Sequence, residues 1–180
     1  ICENKHSWLE NYMTYPIYDA SIPVFIRTLN ALDACLDKAQ IHADELKFDF
    51  NNLLSARLAP DMFSLGRQIQ IACDFAKGVS ARLAEVEMPD FADNEVSLAE
   101  YKERIAKTIA FIQSIPAEKF EGAESREIVI VRKDTKREYS GLVYLHHAGM
   151  PNFYFHVTTA YNILRHNGVA IGKKDFIGAT

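Results

Sequence analysis

The run Pro151-Asn152-Phe153-Tyr154-Phe155-His156-Val157-Thr158-Thr159-Ala160-Tyr161-Asn162-Ile163-Leu164-Arg165-His166-Asn167-Gly168 has helical periodicity throughout. It places Asn152, His156, Thr159 and Ile163 on one face, at i, i+4, i+7 and i+11. Phe153, Val157, Ala160 and Leu164 flank that face. Polar groups set among such neighbours either satisfy one another inside a core or bind something there. Gly168 stands where a left-handed C-terminal cap belongs. On the other side the helical pattern continues back to about Gly141, and Pro151, which lacks a donor and clashes with the preceding turn, must kink or interrupt it.

Working outward, the segment before Gly141 changes period. Ile128-Val129-Ile130-Val131, a turn at Lys133-Asp134-Thr135-Lys136, and Arg137-Glu138-Tyr139 predict a β-hairpin, which must lie against helices because a two-stranded ribbon alone is marginal. Ser97-Leu98-Ala99-Glu100 is a capping box opening a third helix with Leu98, Tyr101, Ile105, Thr108 and Ile112 on its seam, ended by Pro116. A second helix runs from about Asp61 to Leu83 along Met62, Leu65, Ile69, Ala72, Ala76, Val79 and Leu83, with Arg67, Gln70, Asp74 and Lys77 on a solvated face. A short connector, Asp49 to Arg57, precedes it. The first helix repeats Ile22, Phe25, Leu29, Leu32, Leu36, Ala39 and Ala43 at alternating spacings of three and four, with Ser21 as N-cap and Pro23 in the first turn. Residues 1–17 have no clear period and read as an N-terminal extension; residues 18–180 read as a single domain. The fold class expected is all-α, a four-helix bundle with a small β-hairpin between helices three and four.

A chain of 180 residues with 48% apolar content has material for a real core. Its net charge of −4 lacks the basic footprint of a nucleic-acid protein. No run approaches the roughly 18 apolar residues of a membrane span, and the first residues lack the order of a secretory signal. Cys2, Cys35 and Cys73 form neither a disulfide framework nor a zinc knuckle, which points to a reducing, cytoplasmic compartment.

Metal chemistry needs several converging ligands, and the chain has no HExxH, CxxC or His-x3-His. Asn152 stands one turn before His156, where a first ligand of a histidine pair would be. Gln68, flanked by Leu65 and Ala72, can point inward from helix two. Amide oxygens are weak ligands for zinc or nickel, so Gln68, Asn152 and His156 suit a buried hydrogen-bond network better than a tight metal site. Cys73 lies near a seam without a basic neighbour and reads as an inert thiol.

Four segments carry a resemblance: Tyr18 to Phe25, Ala56 to Phe63, Gln68 to Lys77, and Pro151 to Gly168. Together they resemble a family of small bacterial and fungal proteins known only as a domain of unknown function and related to the DinB/YfiT-like four-helix bundles. The similarity runs from about Tyr18 to Gly178. It implies an up-down-down-up bundle, often a homodimer. In the wider superfamily it implies a divalent metal held by one histidine on helix two and a His-x3-His pair on helix four, with thiol-dependent transferase or metal-dependent hydrolase activity in some members. On that pattern the second helix-four histidine lies nine residues before an Arg leading into the helix-ending Gly, which is His156 counted from Arg165. The first position is then Asn152 and the helix-two position Gln68, so two of three ligands depart from the pattern.

The expectation is therefore a bundle with an interhelical polar pocket lined by Gln68, Asn152 and His156, binding a small molecule over a degenerate metal site, with His156 the candidate catalytic group. One alternative is a metal-dependent hydrolase or thiol transferase in which His146 or His147 supplies a missing ligand across Pro151. The other is a non-catalytic structural or partner-binding homodimer whose polar cluster fixes helix register.

Overall fold

A computed structural model of the chain describes residues 15–178. The expected extension, residues 1–17, lies almost wholly outside the described residues, as does Cys2. Four long helices dominate: α1 (Ile17–Leu46), α3 (Leu65–Ala84), α4 (Leu98–Gln113) and α6 (Met150–His166). Short helix α2 (Asn51–Ser55) packs on α3 and short helix α7 (Lys173–Ile177) on α1, and a hairpin of β1 (Glu127–Arg132) and β2 (Thr135–Ser140) stands between α4 and the last long helix. The fold is an all-α bundle with one small antiparallel ribbon.

Helix α1 begins at Ile17, one turn before the expected Ser21 cap, with Pro16 as its N-cap residue. Ser21 is instead buried within the helix, its hydroxyl donating to the Ile17 carbonyl at 2.6 Å. Pro23, lying inside the helix, has no N–H for the Asp19 carbonyl, and the Tyr15 hydroxyl donates to that oxygen at 3.2 Å. Pro151 is accommodated differently. A one-turn helix α5 (Gly141–Tyr144) widens into a π turn over Leu145–Gly149 before α6 resumes. π turns absorb a local break in the i to i−4 ladder without ending the helix. The amide of Asn152 donates to the Ala148 carbonyl at 2.7 Å beside this break.

The core is a single apolar cluster joining all four long helices. Phe25 of α1 meets Phe153 of α6 edge to face, with centroids 4.8 Å apart, a geometry worth roughly 0.5–1.5 kcal/mol beyond the area it buries. Ala72 and Ala76 are fully buried on α3, and their small side chains permit its extensive contact with α6. The capping box of α4 forms as expected, Ser97 Oγ accepting from the Glu100 N–H. In the hairpin, Ile128 pairs with Tyr139 and Ile130 with Arg137. The turn is tighter than predicted: Lys133 and Asp134 alone connect the strands, with Lys133 at φ 48°, and Thr135 and Lys136 belong to β2. Among the described residues no helix is long and apolar enough to cross a membrane.

One expectation is overturned. The polar face of α3 is only partly open to solvent, because the irregular segment 85–97 folds back across it and leaves Arg67 and Asp74 half-exposed. Gln70 and Lys77 are buried, 6% and 3% exposed. The cause is a charged side chain on the seam of α4: Arg104, 2% exposed, reaches into the gap between α3 and the segment. Its Nη1 donates to Glu95 at 2.7 Å and to the Ala92 carbonyl at 3.1 Å, and its Nη2 to Asp74 and Asp93 at 2.9 Å each. Gln70 donates to the same Glu95 at 2.8 Å, and Arg67 pairs with Asp93. Buried charges require such partners.

Candidate functional site

Helices α3 and α6 lie side by side and bring Gln68 and His156 together. The Gln68 amide nitrogen donates to the Phe63 carbonyl at 3.2 Å, and its Oε1 lies 2.7 Å from His156 Nδ1. A carbonyl oxygen only accepts, so the bond to Phe63 fixes which end of the amide is nitrogen. Oε1 therefore faces the imidazole, and Nδ1 must be the donor. A neutral His156 then carries its proton on Nδ1 and its lone pair on Nε2. Burial pushes the imidazole below its ordinary value of 6.5, and the nearby positive charge of Arg67 pushes it further the same way. The ring is held flat against Phe75, centroids 5.8 Å apart at 17°, and edge-on to Phe155 at 5.2 Å. Among the described residues nothing hydrogen-bonds to Nε2.

His156 lines an open cavity of about 520 Å³ between α3, α6 and segment 85–97. Phe63, Phe75 and Phe91 give it aromatic walls. Lys77 lies 3.5 Å from Asp74 and 4.1 Å from the centre of the Phe91 ring, so its ammonium is compensated by a carboxylate and an aromatic face. Asn152 also lines this cavity, although it is exposed and its amide is committed to Ala148 rather than to His156 or Gln68. Gln68 is 1% exposed and stands behind the imidazole, not in the cavity wall. The expected three-residue lining thus resolves into a buried pair and a separate rim residue. His146 and His147 are exposed on the π turn and take no part in the lining.

The donor set tests the divalent metal that the DinB pattern implies. Gln68 Oε1 accepts from His156 Nδ1 and Gln68 does not line the cavity, so position 68 presents no donor atom there. Position 152 offers only an amide oxygen. One imidazole nitrogen and one amide do not fit a divalent transition-metal site, which takes three or four nitrogen, sulfur or carboxylate donors. Among the described residues no three His, Cys, Asp or Glu side chains are grouped to hold an ion. The described cysteines are equally unsuited to thiol chemistry: burial pushes Cys35 up to about 11 and Cys73 up to about 12.

Arg104 and the carboxylates around it are the residues that periodicity misses. A usable signal exists, because Arg104 falls between Tyr101 and Thr108 on the apolar stripe, where a charge must be paired.

Fold and site together define a DinB-like helical bundle. The structure is similar to the crystal structure of a DinB family member protein from Shewanella denitrificans, with a TM-score of 0.87 and 41% identity over 91% of this chain and 93% of that one. Residues 17–177 match a domain of unknown function, DUF1993, and the chain belongs to that family. Comparison with curated proteins gives no match.

Proposed function

We propose that the cavity between α3, α6 and segment 85–97 binds a small molecule that presents an N–H or O–H donor to His156 Nε2 and an apolar or aromatic body to Phe63, Phe75 and Phe91. The observation that carries this reading is the Gln68–His156 bond, which holds a neutral imidazole with its one lone pair uncommitted beside a cavity of ligand size. No resident metal is part of the proposal. Thiol transfer is not part of it either, since both described thiols are buried and protonated at neutral pH.

The test is a ligand-detected NMR screen of phenols and aromatic amides against the full chain. Hits are expected to weaken about tenfold in His156→Ala, the value of one buried hydrogen bond. They are also expected to weaken with acid. The folded-state imidazole titrates below 6.5, so the accepting form is fully present above that pH and is lost as pH falls through the lowered value. Hits that bind wild type and His156→Ala alike would overturn the assignment.

A further inference from the structure

A second cavity of about 560 Å³ lies on the hairpin side of α3 and meets the first at Phe75, Arg82 and Asn152, which line both. Its charge is one-sided. Among the described residues Arg82 and Arg137 line it and no Asp or Glu does. The rest of its wall is largely aromatic and aliphatic, with Tyr139, Tyr144 and Ile130 beside Phe75.

The position of Arg137 follows from the register of β2. Side chains alternate along a strand, so Arg137 shares a face with Tyr139, and Tyr139 is the residue packed against Tyr144, centroids 5.9 Å apart. Arg137 is therefore on the side of the ribbon turned to the helices, opposite Ile130. Arg82 donates to the Tyr144 hydroxyl at 3.1 Å, which directs its guanidinium toward the same ring pair. Neither arginine forms an ion pair with a described residue, whereas Arg67, Arg104 and Arg126 all do. Two guanidinium groups without a carboxylate partner among the described residues, on the walls of one concave, partly apolar site, create a local positive potential on a chain of net charge −4. Guanidinium binds carboxylate and phosphate oxygens by paired, charge-assisted hydrogen bonds, and the tyrosine rings supply a surface for an apolar body.

We propose that this hairpin cavity binds a small organic anion, a carboxylate or phosphate monoester on an aromatic or aliphatic body, with its anionic group held by Arg82 and Arg137. The inference does not rest on occupancy of the His156 cavity. Isothermal titration calorimetry of the full chain with phenyl phosphate, benzoate and benzyl alcohol tests it. At least one anion should bind about tenfold more tightly than the neutral alcohol, and added salt should weaken only the anion. Arg137→Gln, at an exposed position that leaves the fold intact, should weaken the anion about fivefold or more and leave the alcohol unchanged. A preference for phenyl phosphate would identify a phosphate ester as the natural source, and a preference for benzoate a carboxylate. Equal affinity for all three probes, no binding of either anion at millimolar concentration, or undiminished anion binding by Arg137→Gln and Arg82→Gln would each overturn the proposal.

Discussion

Arg104→Met is expected to lower the melting temperature by about 10 °C. The guanidinium holds Asp74, Asp93 and Glu95 from three directions while itself 2% exposed. Removing one member of a buried charge network leaves the others uncompensated, at a cost of about 3–5 kcal/mol when all are buried. Asp74 and Asp93 are 39% and 40% exposed, so solvent screens part of that cost. We therefore expect roughly 3 kcal/mol, which for a chain of this length corresponds to the stated shift. The acid limb should change too. Burial opposes ionisation of Asp93 and Glu95, yet hydrogen bonds and charge from Arg67 and Arg104 on Asp93, and from Arg104 and Gln70 on Glu95, hold both carboxyls below their ordinary values of 3.8 and 4.5. Their contribution is complete above those values and lost as pH falls through the lowered ones, so wild type should lose stability there and the variant less. Thermal melts across pH, with hydrogen exchange over residues 85–97, measure both effects. Unchanged melting would mean that the network does not hold the segment.

Installing two histidines should create a metal site where the native residues provide none. In Gln68→His with Asn152→His, positions 152 and 156 share a helix face one turn apart, and position 68 already reaches the His156 ring at 2.7 Å. Removing the Gln68 acceptor also releases that ring from its present orientation. Three imidazoles converge as a zinc or nickel site requires, and affinity for either ion should rise roughly a hundredfold or more, about 3 kcal/mol. Calorimetry with zinc and nickel reads the gain. Equal metal affinity in wild type and double variant would sink the assignment of these three positions to the DinB ligand pattern.

Much of this site is legible before any coordinates. Gln68 lies between Leu65 and Ala72, and His156 between Phe153 and Ala160, so each residue's helical phase directs it toward a partner helix. Phase turns both residues inward, and the DinB resemblance, which sets helix two beside helix four, is what pairs 68 with 156. Neither determines what covers the other side of α3. Segment 85–97 has no period, and its course is set by Arg104, a residue whose partners lie far apart in sequence. Asn152 has the right phase yet a different role, because the carbonyl beside the Pro151 break competes for its amide. The hairpin announces itself through its change of period, but alternation gives two faces without saying which one meets the bundle. Only the pairing of Ile128 with Tyr139, and of Tyr139 with Tyr144, turns Arg137 inward.

The proposed ligand site requires His156 to be a neutral imidazole held by an amide, with its free nitrogen facing the cavity. Long-range proton–nitrogen correlation of the histidine side chains at about pH 7.5 tests it most directly. His156 is expected as the Nδ1–H tautomer with unprotonated Nε2, with a protonation midpoint below 6.5 and loss of the tautomer preference in Gln68→Leu. An Nε2–H tautomer or a charged ring at that pH would contradict it.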